Sequence, residues 1–440
     1  MNNLITKKTI IIGGGISGLV SAYSAIQSGS TVILYEKSNQ LGGLIGTKYS
    51  ENGLVEQAAN GFLNSSSIEK LTKDLNLKLL KPESSSKKRR FFRNNKLHSL
   101  PISIFALLRG IFGFCFINSE PNLDENMQEW SQRIFGKDFT EFIIEPAIGG
   151  IYSTELELMY VPSVFSKFKF YNGKSLLRNL LFHFKNKKKE IKPNLRGLVS
   201  FQNGMQELIK GLHTYILNNS KSKIHLNSKI SNLNHFLESN KNNEIRICTS
   251  LFETIELIKE WELAKEIFPK YDICSFSYQT ICTITQFGMN TIFPYKAFGI
   301  LFPRNQNLFV KGVLANHCIF KGRVKNLPYS ETWIYSGDWL NDATETSVKE
   351  IFVKERNFLL SKLNKLRNND PNRKIFLHDI HIKIWKNAFP IYNKNLYNFN
   401  NFLDEIEFIC EQKGNPIRFY GNYRNGIGIR SLIENAMISR

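Results

Sequence analysis

Cysteine is scarce and unpaired in this chain: Cys115, Cys248, Cys274, Cys282, Cys318 and Cys410 are scattered and form no Cys-x-x-Cys. That excludes a disulfide framework or a zinc site and points to free thiols in an intracellular protein. No uninterrupted apolar run reaches the ~20 residues of a membrane span; the richest stretch, residues 100–117, is broken by Pro101, Arg109, Gly110 and Gly113. The first strand is expected within ten residues of Met1, which predicts no signal or transit peptide and a cytoplasmic location. No Ser/His/Asp or Cys/His nucleophile set stands out, and no nucleic-acid module accompanies the basic charge. His378 and His381 sit among Ile375, Phe376, Ile380, Ile382 and Ile384, a strand pattern that speaks against a metal site.

What is present concentrates at the two ends. Ile10, Ile11 and Ile12 form an apolar run, and Gly13, Gly15 and Gly18 then fill Gly-x-Gly-x-x-Gly, with Gly14, Ile16 and Ser17 between them. A strand handing over to a helix at such a turn presents unpaired N–H groups to a pyrophosphate. Gly13 serves the tight turn, Gly15 the approach of backbone to phosphate, and Gly18 the packing of helix on strand. Leu19, Ala22, Tyr23 and Ile26 repeat at helical spacing, Gly29 marks a stop, and residues 31–35 read as a second strand. Glu36, with Lys37 after it, then lies about 20 residues past the turn, where an acid takes ribose hydroxyls. The turn alone leaves NAD and FAD open.

Lysine and arginine (58) outnumber aspartate and glutamate (38), for a net charge of +20. Residues 160–196 hold ten of the bases, Lys167, Lys169, Lys174, Arg178, Lys185, Lys187, Lys188, Lys189, Lys192 and Arg196, against Glu190 alone. Leu176, Leu177, Leu180, Leu181 and Phe184 share one side of a helix there, with Arg178 and Lys185 off it. A basic amphipathic helix of this kind lies in a membrane interface. The 100–117 stretch is expected to dip into one leaflet rather than cross it. A solvated basic face on ordinary core helices is the competing reading.

The 440 residues allow two to four domains of ~100–200 residues. Residues 84–90 (SSSKKRR) separate the opening segment from an insertion, and residues 198–217 return through a strand, a glycine turn and a helix. Between residues 218 and 243 the one strand candidate is 229–233; residues 245–248 are another. From Tyr278 to Phe399, Phe- and Ile-rich strands are expected to build a sheet.

Further motifs carry a resemblance. Gly42, Gly43, Leu44 and Gly46-Thr47 resemble the second fingerprint of the amine oxidase-like FAD superfamily, and Gly421, Asn422, Tyr423, Gly426 and Gly428 before residues 431–436 resemble its closing flavin turn. VEQAANGFLNSS from Val55, RRFFRNNKLHSLP from Arg89, EPAIGGIYSTELE from Glu145, LVSFQNGMQEL from Leu198, FGILFPR from Phe298 and WKNAFPIY from Trp385 resemble, in order, the FAD-dependent protoporphyrinogen and coproporphyrinogen oxidases of haem synthesis.

The resemblance implies an α/β fold: a discontinuous Rossmann-like FAD domain (1–84, 197–270, 404–440), a mixed-sheet α+β substrate domain (85–98, 271–403) and a helical membrane-binding insertion (99–196). It places FAD on the residues named above together with Ala58, Ala59, Asn60, Gly61, Ile230, Ile427 and Ile429. It makes Arg89 the carboxylate ligand of a porphyrinogen, Phe298, Ile300 and Leu301 the ring pocket, and the Gly150 backbone carbonyl a partner of the pyrrole nitrogens. Repeated hydride transfers to FAD would yield the porphyrin, with oxygen or another acceptor reoxidising the flavin. The implied partners are a membrane surface and a second copy in a homodimer, with no nucleic acid and no metal. Ala58-Ala59, Thr249-Ser250, Lys394-Asn395 and Arg430-Ser431 depart from the family pattern. Another amine oxidase-like or desaturase-like flavoenzyme, or a non-catalytic membrane-attached flavoprotein, remain as alternatives.

Overall fold

The structure is a computed structural model that describes residues 8–186, 192–363 and 377–438. Lys187, Lys188, Lys189 and Glu190, and Ile375 and Phe376, lie outside the described residues.

Ile11 packs with Val32, Leu34 and the helix Ile16–Gln27 on one face of a sheet, while Ile10 and Ile12 pack with Ile245, Ile247 and the helix Lys394–Gln412 on the other. Burial on both faces is why this strand reads as a continuous apolar run. The sheet is parallel throughout, in the order Lys223–His225, Thr31–Tyr35, Lys8–Ile12, Glu244–Ile247, Ile417–Phe419. A second, seven-stranded sheet runs in the order Leu377–Pro390, Tyr278–Gly288, Tyr329–Ser336, Val310–Leu314, Gly299–Leu301, Arg89–Arg93, Lys96–His98. The strand holding Arg89 is inserted parallel to Gly299–Leu301 in this otherwise antiparallel sheet, so early chain completes a sheet built from late chain.

Three expectations change. The strand expected at 229–233 is Lys223–His225; Leu233 instead opens the helix Leu233–Ser239, capped by Asn232. The 19-residue helix Glu345–Leu363 interrupts the strand-rich region and fills the core beneath the second sheet with Val348, Phe352 and Leu359. A boundary at 404 would cut the helix Lys394–Gln412, whose Leu396, Phe399, Phe402 and Leu403 all pack on the first sheet.

The insertion is helical. Gly110 and Gly113 do not interrupt its first helix; both lie within Ile104–Phe116 and are its buried residues. A methyl on Gly113 would stand 1.6 Å from the Ile134 carbonyl oxygen, so Gly113 lets the helix Met127–Phe135 approach, and one on Gly110 would stand 2.5 Å from the Phe139 ring just beyond that helix. Large apolar side chains point outward: Phe105 is 79% exposed, Phe112 56% and Phe116 71%. In the helix Leu176–Asn186 the apolar stripe splits, with Asn179 fully buried on Ser119 while Leu181, Phe182 and Phe184 are exposed. No helix among the described residues is long and apolar enough to cross a membrane.

Candidate cofactor and substrate site

The glycine turn begins where the Lys8–Ile12 strand ends. Gly13 has φ of +106° and a methyl there would meet the Cys248 carbonyl at 2.6 Å; one on Gly18 would meet the Gly13 oxygen at 1.8 Å. Gly15 differs, because its nearest neighbour across that space is the Gly43 Cα at 4.0 Å. Gly15 caps the Ile16–Gln27 helix with no side-chain hydrogen bond, which leaves the first N–H groups free for an anion. Gly14 N donates to Glu36 Oε2 at 2.6 Å, and Ser38 N and Oγ donate to Glu36 Oε1 at 2.8 and 2.7 Å. The acid is thereby fixed over the turn. Lys37 is committed elsewhere, to Glu253 at 2.6 Å on the surface. Ser228 N donates to the Glu36 carbonyl, which ties the loop carrying Ile230 to the same strand end.

Gly42 and Gly43 close the turn from the other side: Gly42 N donates to Gly14 O at 2.9 Å, and Leu44 follows. The C-terminal segment arrives through Tyr420 N, which donates to Ile247 O at 2.8 Å. Gly426 has φ of +115°, and Gly428, with no atom within 4 Å of a methyl built on it, caps the helix Ile429–Met437 without a side-chain bond. Ile427 packs at the margin of the same core as Ile230. Two uncapped helix starts, each opened by a glycine with space beside it, fit a dinucleotide cofactor with a pyrophosphate at one start and a polar ring edge at the other.

Residues 57–61 run between the sheets. The Gln57 carbonyl accepts from Trp385 Nε1 at 2.9 Å and Thr283 Oγ1 at 3.1 Å, and the Asn60 carbonyl accepts from Ser200 Oγ at 2.9 Å. Ala58 and Ala59 lie half-buried between these two attachments, and a methyl on Gly61 would press on the Val199 oxygen at 2.6 Å. Beneath sits a pair that sequence reasoning missed: Glu56 and Arg323, side chains 2% and 3% exposed, 3.2 Å apart. Burial raises the Glu56 carboxyl above its ordinary range, against the Thr47 hydroxyl and Arg323, and burial lowers the Arg323 guanidinium. The available signal was a glutamate ending the otherwise apolar strand Gly53–Glu56.

On the second sheet Arg89, Phe91 and Arg93 alternate onto one face, in register with Gly299 and Leu301. The Arg89 guanidinium lies 4.9 Å from the Phe298 ring centroid, and Arg93 lies 3.8 Å from Phe142 of the insertion. A methyl on Gly150 would come 3.9 Å from Leu301 Cδ2, so Gly150 faces the same wall. Ile300 is a correction to the expected pocket: it is 1% exposed and packs into the opposite core with Phe92, Val313 and Trp333, because neighbouring strand residues point to opposite faces. Gly150 follows a ten-residue π-helix, Thr140–Gly149, with Pro146 inside it. Widened helical turns of this kind collect at functional sites. The Glu145 carboxyl in that helix is raised by burial, offset by Arg304 and Lys311. Among the described residues no three metal-ligating side chains cluster.

The departures from the expected motifs have local roles. Ser250 caps the helix Leu251–Ile258, and Thr249 bonds Thr254, which in turn donates to Tyr423 Oη at 3.0 Å. Asn393 caps the helix that Lys394 and Asn395 begin. Arg430 pairs with Glu434 one turn along.

A parallel sheet with a glycine turn, beside a second mixed sheet and with the helix Ile429–Met437 packed on the helix Ile16–Gln27, is the architecture of a dinucleotide-binding α/β protein. Residues 16–250 match the profile of the flavin containing amine oxidoreductases. The chain belongs to that family, and it is an FAD-dependent oxidoreductase. It is 24% identical to the mitochondrial protoporphyrinogen oxidase of Nicotiana tabacum over 98% of this chain and 93% of that protein. It is 26% identical to the coproporphyrinogen III oxidase of Bacillus subtilis over 52% of this chain and 54% of that protein. In fold it is similar to a protein from Exiguobacterium provisionally assigned as a protoporphyrinogen oxidase (TM-score 0.71, 14% identity, 98% and 97% covered). It is also similar to reduced UDP-galactopyranose mutase (TM-score 0.67, 14% identity, 99% and 93% covered).

Proposed function

We propose that the chain oxidises a porphyrinogen, protoporphyrinogen IX or coproporphyrinogen III, to the porphyrin in haem synthesis. The observations that support this reading are two contacts at the wall around Gly299–Leu301: Arg89 lies 4.9 Å from the Phe298 ring centroid, and Gly150 of the insertion comes against Leu301. A porphyrinogen is an apolar ring with carboxylate arms, and such a wall offers aromatic and aliphatic surface beside a guanidinium, whose fork matches a carboxylate. The Gly150 carbonyl, free of a side chain, accepts from pyrrole N–H and sets the depth of the ring. Leu301 and Phe298 exclude water from the reacting carbon.

FAD, when bound, supplies the hydride acceptor, and oxygen or another oxidant restores it. The residues that would hold it are Gly13, Gly14, Gly15, Ile16, Ser17 and Gly18 at the pyrophosphate, Glu36 at the ribose, and Gly42, Gly43 and Leu44 across the turn, with Lys37 turned to Glu253 instead. Ile230 lies on the adenosine side, and Ala58, Ala59, Asn60, Gly61, Ile427, Gly428 and Ile429 lie along the ring. The FAD reconstituted protein should convert a colourless porphyrinogen into a fluorescent porphyrin; inactivity toward both porphyrinogens removes the reading.

The insertion attaches the protein to the membrane from which so apolar a substrate comes. Its first helix is inverted, with glycines inward and Ile104, Phe105, Leu108, Phe112 and Phe116 outward, and the second adds Leu181, Phe182 and Phe184 beside Lys185. Apolar anchors rimmed by cations suit an anionic lipid surface. Sedimentation with anionic liposomes that weakens as salt rises supports this; self-association without lipid gives the face to a homodimer instead.

A further inference from the structure

The buried pair Glu56 and Arg323 raises a question that stability does not answer. Removing two charges from water rarely gains net stability over apolar packing, so a pair at 2% and 3% exposure calls for a positional role. Its hydrogen bonds lead to one place. Glu56 is fixed by Thr47 Oγ1 at 2.6 Å and by Met205 N at 3.0 Å. Arg323 Nη1 donates to Glu56 and Nη2 donates to Ser200 Oγ at 2.6 Å; Ser200 Oγ donates in turn to the Asn60 carbonyl at 2.9 Å, with the softer Met205 sulfur farther off at 3.7 Å. The chain of contacts runs from a fixed charge to one carbonyl of residues 57–61.

That segment needs an external hold. Its sequence, Gln57-Ala58-Ala59-Asn60-Gly61, has no proline to fix φ, and Ala58 and Ala59 make none of the described hydrogen bonds. At its start the Gln57 carbonyl is held by Trp385 and Thr283. At its end the Asn60 carbonyl is held by Ser200, which Arg323 orients, just before Phe62 enters a ladder with Val199. Arg323 is itself positioned by backbone: Leu54 N donates to its carbonyl at 3.1 Å, and Lys325 N donates to Asn52 O at 2.9 Å. The loop that carries the guanidinium is thus stitched to the strand that carries Glu56, and it belongs to the substrate-side sheet.

We infer that Arg323, seated on Glu56 and acting through the Ser200 hydroxyl, is a positioning residue that sets where residues 58–60 lie against the cofactor. This rests on the reading of residues 58–61 as flavin-facing. It makes the pair a link from the loop before the strand Tyr329–Ser336 to the small sheets that carry Glu56 and Ser200, so that the substrate side places a cofactor-side carbonyl.

The test uses the full-length protein and free FAD, with no porphyrinogen, so its failure is distinct from failure of the oxidation reading. Ser200→Ala removes the link and leaves Glu56 and Arg323 in place. It is expected to weaken FAD binding roughly tenfold, one hydrogen bond's worth, to shift the visible spectrum of bound FAD, and to speed amide exchange at residues 58–60 in the cofactor-free protein. Ser200→Thr keeps the hydroxyl and should restore all three. Arg323→Lys keeps the charge but cannot serve both acceptors through a fork, and should match Ser200→Ala in spectrum and exchange. If Ser200→Ala melts lower but keeps wild-type FAD affinity, spectrum and exchange, the pair is structural only and the inference is overturned.

Discussion

Replacing Gly15 by alanine separates the cofactor cradle from the fold that carries it. Gly15 sits at φ −72° and ψ −177°, a conformation alanine adopts freely, and its new methyl would meet only the Gly43 Cα at 4.0 Å. Alanine caps a helix less well than glycine, a loss of up to about 1 kcal/mol, so the cofactor-free protein should melt within about 2 °C of wild type. The pyrophosphate, however, must occupy the space the methyl takes, and FAD affinity should fall by about 100-fold or more, about 2.7 kcal/mol. Gly18→Ala provides the contrast. Its methyl would stand 1.8 Å from the Gly13 oxygen, and relief to an ordinary contact of about 3.5 Å requires helix and strand to part. That variant should lose both cofactor and stability, by about 1–3 kcal/mol. Calorimetry of the cofactor-free proteins and FAD titration give both quantities. A Gly15→Ala protein that binds FAD as wild type does would refute the assignment of the pyrophosphate to this turn.

Further outcomes follow from other sites. Arg89→Ala should raise KM for a porphyrinogen about 10- to 100-fold with kcat nearly kept, since a charged hydrogen bond to a carboxylate arm is worth about 1.5–3 kcal/mol; Arg89→Lys should recover only part of it. Phe105→Glu with Phe112→Glu should abolish liposome sedimentation and leave the melting temperature unchanged, because both side chains are largely exposed; retained binding would move the lipid face elsewhere. Gly113→Ala should destabilise the insertion by about 1–3 kcal/mol through its clash with the Ile134 carbonyl, measured by melting. Glu69 accepts from Asn194 N and Leu195 N at 2.9 and 2.8 Å where the insertion rejoins the first domain. Burial pushes its carboxyl up, but these donors outweigh burial and hold it below the ordinary carboxylate range. A depressed carboxylate stabilises the fold above its unfolded value and loses that contribution as pH falls through its folded value, so the protection factors of the Asn194 and Leu195 amides, corrected for intrinsic exchange, should drop once the pH is below the ordinary carboxylate range.

The cofactor end was legible because its chemistry is local. The glycine turn, its helix and Glu36 lie within one short stretch; Gly18 answers to Gly13, and Gly13 to Cys248 just past the strand Glu244–Ile247. The contacts of Arg89 with Phe298 and of Gly150 with Leu301 were approached only through motif resemblance, since each joins residues far apart in the chain. Ile300 was misplaced because a motif carries no face; only the register against Arg90 and Val313 shows which side it takes. The glycines of the Ile104–Phe116 helix read as breaks in a hydrophobic run because composition cannot tell a helix interruption from a close helix contact. The Glu56 and Arg323 pair lay beyond reach, as nothing links the two residues until the sheets are assembled.

Anaerobic mixing of the FAD-loaded protein with protoporphyrinogen IX, and separately with coproporphyrinogen III, tests the central claim most directly. The account predicts that the absorbance of oxidised flavin bleaches with at least one of them as porphyrin fluorescence rises in proportion. A flavin that stays oxidised in the presence of both would contradict it.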